Sequence, residues 1–242
     1  MIDFRIEIAS PSPLRRWFRP QVTFDFDGVR PFKPLPISQA FAMFEWGLNW
    51  VIANHAHEFA IVHSATLEKN GRGYIFPGAP GSGKSTLCAA LVCRGWRLLS
   101  DEMALISVND GLIWPIPRPV SLKNASIEII RNFGEGVVLG DMVADTAKGN
   151  IAHMRPPKAS VEAAGIPVAP FAVVFPTYRS DAKTEFVEIT KGQTLMRLAE
   201  NCFNYPVLGA VGFNCLADAV AQSRCHTVNY SDLNEVIALL EH

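Results

Sequence analysis

The sequence predicts an α/β fold in which a glycine-rich loop joins a buried strand to a helix, with a small lobe ahead of it. Three observations lead there. From residue 38 onward, short strand-like apolar runs alternate with longer runs at helical spacing. One strand pattern ends directly in a glycine-rich octet, and a helical pattern follows it at once. The first 37 residues instead carry six prolines around two short alternating segments, a composition that forbids a long helix.

The elements follow in order. Residues 2–8 and 22–26 alternate apolar and polar side chains, as short strands do. Ser38 is placed to cap a helix running to about Asn54. Its apolar stripe is Phe41, Phe44, Leu48, Val51 and Ile52, widened by Trp46 and Trp50. Residues 58–69 (EFAIVHSATLEK) read as a strand, Asn70-Gly71 as a tight turn, and 73–76 as the returning strand. Residues 85–94 read as a helix that Gly95 ends. Short strands are expected at 97–99, 103–108 and 112–116, the last two joined through Asn109-Asp110-Gly111. Residues 124–132 look helical, and 134–149 read as a long loop containing DTAKG. Strands at 170–176, 186–189 and 226–230 alternate with helices at 191–203 and 214–223. Ser231 is expected to cap a last helix to Leu240. With no internal repeat, the reading is a lobe of residues 1–37 and one domain of 38–242.

Bulk properties narrow the class. The chain has 242 residues, 49% hydrophobic and 19% charged, with a formal net charge of −1. This is the balance of a globular protein rather than a disordered, collagenous or coiled-coil one. No strong field selects nucleic acid or an anionic membrane. The start, MIDFRIEI, lacks the basic and apolar regions of a signal peptide. The run 40–53 is too short to span a bilayer and contains Glu45. The expectation is a soluble cytoplasmic protein without membrane insertion or a nucleic-acid partner. Five cysteines without a CxxC pair argue for reduced thiols, against a disulfide framework or a zinc site.

The octet Gly78-Ala79-Pro80-Gly81-Ser82-Gly83-Lys84-Ser85 satisfies G-x-x-x-x-G-K-[ST] at every fixed position, with Thr86 next in the helix. Glycines let successive N–H groups turn inward around a phosphate. A helix start at Lys84 adds unpaired N–H groups and a positive dipole end. Lys84 offers a point charge to the β- and γ-phosphates, and Ser85 a hydroxyl to magnesium. The ligands this implies are a nucleoside triphosphate and Mg2+. No N-K-x-D base-reading motif occurs, which favours ATP over GTP.

Asp101 and Glu102 end the strand at 97–99. In a parallel sheet such a position shares a rim with the phosphate loop. Phosphoryl transfer needs a carboxylate at the metal and another to take the acceptor's proton. Asp101, with Ser85, is the metal candidate, and the division of roles between Asp101 and Glu102 is open. His63 is either a catalytic neighbour or a histidine packed in a strand. Arg118, held between two prolines, Lys123, and Lys148 in DTAKG are either phosphate or acceptor contacts or plain surface cations. His55 and His57 read as a helix end and a surface residue. Residues 201–205 (NCFNY) line an acceptor pocket or pack the last helices.

These residues resemble the HPr kinase family. The series is Val62-His63-Ser64, the turn at Asn70-Gly71, the phosphate loop, then GWRLLSDE (95–102). PRPVSLKN (117–124) and DTAKG (145–149) are similar to the HPr kinase-related group labelled HprK-related kinase A. The resemblance implies a P-loop kinase core like that of HPr kinase and phosphoenolpyruvate carboxykinase, with a mixed sheet. It implies ATP and magnesium. It also implies roles for Lys84 at the phosphates, Ser85 at magnesium, Asp101 and Glu102 at metal and acceptor, and His63 on the acceptor side. Glu102 stands where the family usually has Asp, Ser64 follows His63 in place of Gly, and no I-R-G-L-G-like run occurs. These differences speak against HPr as the acceptor. A homo-oligomer is left open. The leading expectation is an ATP-dependent kinase acting on a hydroxyl, in the first place serine, of a protein or peptide. The alternatives are a nucleotide-gated binding or scaffold protein and a small-molecule kinase.

Overall fold

The run at 58–69 becomes β4 (Phe59–Lys69) in the computed structural model, which describes residues 4–146 and 149–241. The chain divides into two compact units: one of residues up to Ala56, the other of His57 onward apart from a short segment around Thr146.

In the first unit, β1 (Ile6–Ala9) pairs antiparallel with β2 (Gln21–Phe26), which pairs with β3 (Leu35–Pro36). A five-residue helix, α1 (Pro13–Trp17), joins the first two strands and is capped by Ser12. α2 (Ala40–His55) follows a 3-10 turn at Ile37–Gln39 and carries no side-chain cap, so Ser38 does not have the role expected of it. Its buried face is Ala42, Met43, Gly47 and Val51, while Phe41 and Phe44 are exposed. The stripe is turned because Gly47 brings the helix backbone onto the Phe24 ring. This unit therefore extends beyond the lobe read at 1–37. Met43 and Val51 join Val22, Phe24 and Phe26 in one apolar cluster.

In the second unit, β4 turns at Asn70 and Gly71, both with positive φ, into β5 (Arg72–Pro77). The chain continues through the glycine loop to α3 (Lys84–Cys93), β6 (Arg97–Ser100), β7 (Met103–Ser107) and β8 (Ile113–Trp114). Next come β9 (Val120–Lys123), α4 (Ala125–Phe133), β10 (Val143–Thr146), whose last residues fall in the short segment grouped with the first unit, β11 (Gly149–Met154) and α5 (Lys158–Glu162). Then follow β12 (Pro170–Tyr178), β13 (Glu185–Glu188), α6 (Lys191–Glu200), α7 (Tyr205–Leu208), α8 (Ala210–Gln222), β14 (Arg224–Tyr230) and α9 (Leu233–Glu241).

Eight of these strands make a mixed sheet in the order β13-β14-β12-β5-β4-β7-β8, with β6 also on β4. β5, β12 and β14 run parallel, and β4 opposes β5, β6 and β7. Alternation sorts the strand side chains to two faces. Tyr74, Phe76, Ala172 and Val174 meet α3, α4 and α9, whereas Ile75, Val173 and Phe175 meet α6 and α8. The fold class is thus α/β with a large mixed sheet. The parallel neighbourhood expected for the acidic pair is corrected: β4 lies between β5 and β6, which nevertheless point the same way.

Two further differences have local causes. The long loop read at 134–149 contains β10, and β9, β10 and β11 form a separate three-stranded sheet. β10 pairs with the central strand β11, which pairs with β9 from Ile151 to Met154, so strand pairing overrides the glycine-rich composition. The last helix is capped by Asp232, whose Oδ1 accepts from the N–H groups of Asn234 and Glu235, while the Ser231 hydroxyl donates to the Ala182 carbonyl.

A methyl group at Gly47 would stand 2.0 Å from the fully buried Phe24 ring. Gly47→Ala is expected to cost about 1–3 kcal/mol, the range for overpacking a filled core. A denaturant titration checks this, with the midpoint falling and the slope unchanged.

Candidate functional site

β4 has two edges, and each is interrupted at the same level. On one edge β5 stops at Pro77, opposite Ser64, where the chain leaves as the glycine loop. Segment 201–203 takes over that edge: His63 N–H donates to Asn201 O at 2.8 Å and Phe203 N–H to Ile61 O at 2.8 Å. On the other edge β6 and β7 are one interrupted strand. Thr66 pairs with Ser100 and His63 with Met103, leaving Asp101-Glu102 as the break between them. Two strand spacings of about 4.8 Å put the strands that lead into the glycine loop and the acidic pair roughly 10 Å apart across β4.

The loop is fastened from behind. Tyr178 N–H donates to Ser82 O at 3.0 Å, and Tyr230 Oη donates to Gly83 O at 3.3 Å. Gly81 and Gly83 take φ of +85° and +93°, the region that favours glycine. A Cβ on Gly83 would also come within 2.6 Å of Tyr230 Oη. Ala79, Pro80 and Gly81 are exposed at the apex. The first-turn N–H groups of α3, those of Lys84, Ser85 and Thr86, have no intrahelical acceptor. Lys84 is 7% exposed, and its ammonium donates to the carbonyls of Gly78 and of Ala79, the latter at 3.1 Å. Burial lowers its pKa, and Asp101 and Glu102 oppose that shift.

Asp101 is buried. Burial, then the charge of Glu102, pushes its pKa from 3.8 up to about 7. The Ser121 N–H, donating to Oδ2 at 3.1 Å, and the Ser85 side chain pull the other way. Oδ1 is buried without a hydrogen-bond partner among the described residues. A carboxylate oxygen left over beside a serine hydroxyl suits a hard cation, and Mg2+ commonly takes one or two carboxylates plus phosphate oxygens. The residues present therefore fit that ion.

Glu102 is half-buried. Its carbonyl accepts from the Ser64 N–H at 3.2 Å and from His63 Nδ1, also at 3.2 Å. A carbonyl only accepts, so Nδ1 carries the proton and Nε2 keeps its lone pair. Burial and the Lys84 charge lower the His63 pKa, which holds the ring neutral near pH 7. The Phe203 ring stands 5.5 Å from it, centroid to centroid.

The fold thus gathers His63, Lys84, Ser85, Asp101, Glu102 and Lys123, the last acting on the charges of His63, Lys84 and Asp101. Arg118 lies half-buried on the segment fastened to β6 by the 2.8 Å bond from Ile116 N–H to Leu99 O. Lys148 lies outside the described residues. In the 201–205 stretch, Asn204 packs: its side chain bridges Ile61 N–H and Phe59 O along β4. Sequence reasoning missed His153, which register sets opposite Ser121 and which feels the charges of Glu102 and Lys123. It also missed Tyr178 and Tyr230. No local motif marks these residues; only strand pairing brings them in.

No protein-family model matches the chain, and no curated protein matches it.

Asp101 sets a pH dependence on stability. Its folded pKa, about 7, lies above the unfolded value of 3.8. Its contribution is therefore fully present below pH 3.8 and is lost as pH rises through about 7. Asp101→Asn keeps an acceptor for the Ser121 N–H and removes the titration. Without ligands, the variant is expected to melt several degrees above wild type at pH 8 and to lose that advantage by pH 4. Thermal melts across this range check it.

Proposed function

We propose that the chain is an ATP-dependent kinase that transfers the γ-phosphoryl group to a hydroxyl, in the first place serine, of a protein or peptide. One observation carries the reading. A buried carboxyl with an oxygen unpartnered among the described residues, Asp101, sits beside Ser85 and within the charge field of Lys84 at the mouth of the glycine loop. The resemblance of residues 62–102 to HPr kinases, which have a P-loop kinase core, supports it.

The roles follow from the chemistry. Loop N–H groups from Gly78 to Ser85 and the first turn through Thr86 cradle the phosphates. Lys84 leaves the carbonyls of Gly78 and Ala79 to meet the β- and γ-phosphates, which offer it charge-assisted bonds in their place. Ser85 and Asp101 would hold a magnesium ion, which would supply positive charge against the phosphates. Asp101 is enclosed, so the half-buried Glu102 is the carboxylate open to an acceptor. As the acceptor oxygen bonds to Pγ and the bond from Pγ to ADP breaks, the hydroxyl proton passes to Glu102. Neutral His63, tied to the Glu102 carbonyl, orients that side of the site.

The test is transfer of label from γ-labelled ATP with Mg2+ to acceptors in a lysate. Wild type is expected to label a macromolecule, and Lys84→Ala and Asp101→Ala to lose at least a hundredfold of that activity. Glu102→Gln should lose transfer while holding ATP within about threefold of wild type. ATP binding with no labelled acceptor sinks the kinase reading and leaves a nucleotide-gated binder; a small, dialysable product replaces it with a small-molecule kinase. Gly83→Ala, strained by φ and by Tyr230, is expected to weaken ATP binding at least tenfold in calorimetry.

A further inference from the structure

A second group of charged and aromatic side chains lies at the opposite ends of the same strands. β5, β12 and β14 run parallel, and the glycine loop, Tyr178 and Tyr230 mark their carboxyl ends. Arg72 opens β5 and Arg224 opens β14, with Phe171 on β12 between them. Five or six residues at about 3.3 Å each separate the two ends by roughly 17–20 Å.

Here a cleft of about 380 Å³ opens between these strands, β13 and α9. Arg72 Cζ lies 4.5 Å and Arg224 Cζ 5.2 Å from the Phe171 ring centre, so the two guanidinium groups are within about 10 Å of each other. Neither forms an ion pair among the described residues. The Arg72 guanidinium also reaches the Tyr74 hydroxyl within the cleft, and a guanidinium on an aromatic face, with five N–H donors, keeps further N–H groups to offer. His226 stacks on Phe186 at 4.3 Å, and its Nδ1 is buried without a hydrogen-bond partner among the described residues. The apolar lining includes Phe186 and Leu240. Of the two acids at the rim, Glu241 is engaged by Lys69 at 3.5 Å and Trp96 Nε1 at 3.2 Å, which leaves Glu188 against two arginines.

From this we infer a second ligand site, separate from the glycine loop, that takes a small organic anion: a phosphate or carboxylate head between Arg72 and Arg224, with an apolar body on Phe171 and Phe186. Nothing in the kinase reading requires it, and it stands if that reading fails.

Phenyl phosphate and benzoate serve as probes in calorimetry and in NMR of the intact chain. At least one is expected to bind saturably below about 1 mM, with inorganic phosphate at least tenfold weaker because it lacks the apolar body. Arg72→Gln and Arg224→Gln should each weaken binding at least tenfold, while Lys84→Ala leaves it unchanged. In the wild type, the perturbed resonances should be those of His226, Phe171 and Phe186, a readout that holds even if an arginine variant fails to fold. The inference is overturned if neither probe saturates by 5 mM, or if inorganic phosphate binds as well. It is equally overturned if Lys84→Ala abolishes binding, or if the shifts fall on Gly81 to Lys84.

Discussion

The pairing of β4 with different partners along each edge is the constraint on which the site depends. β4 is eleven residues long, and neither β5 nor the β6–β7 pair matches it over its whole length. Backbone groups in a buried sheet must be satisfied, so every change of partner needs a replacement. On one side segment 201–203 supplies it, and on the other the Glu102 carbonyl accepts the Ser64 N–H. Both changes occur beside His63 and Ser64. That coincidence opens the sheet at one place and aims a glycine loop, a helix start and two carboxylates into it.

Electrostatics at this opening run against stability. A carboxyl is buried with one oxygen unpartnered among the described residues, and a lysine is buried nearby with no direct ion pair among them. Burial drives both pKa values toward the neutral forms. Leaving a buried polar atom unmet costs about 1–3 kcal/mol. Such a cost is tolerated where a bound charge removes it, and sites of function are where such costs concentrate. Lys84 meanwhile satisfies its ammonium on the carbonyls of its own loop.

The two ends of the parallel strands differ in kind. At the carboxyl ends, backbone N–H groups and a helix dipole create a field that any chain with this loop would share. At the amino ends, the cleft is made of side chains alone: arginines on an aromatic ring and an imidazole on another. The first kind of site is written in a contiguous motif. The second is assembled from strands β5, β12, β13 and β14, its side chains separated by up to 154 positions in the chain (72 to 226), and no spacing rule joins them.

By itself the sequence determined the local pieces of this protein. The strand at 58–69, the turn at Asn70-Gly71, the loop from Gly78 to Ser85 and the helix after it are legible because periodicity, turn chemistry and glycine spacing act over a few residues. The adjacency of Asp101 to the loop was legible only as a direction of chain travel. The insertion of β4 between β5 and β6 was not, because local spacing carries no information on strand order. Tertiary structure alone decided that Asp101 is enclosed and Glu102 half-buried, that His153 arrives through pairing with Ser121, and that Tyr178 and Tyr230 fasten the loop. It also turned the face of α2, since Gly47 against Phe24 outweighs the apolar spacing of Phe41 and Phe44. The physical reason is common to all of these: periodicity and turn chemistry are set by neighbours in the chain, whereas burial, pKa and pairing are set by neighbours in space.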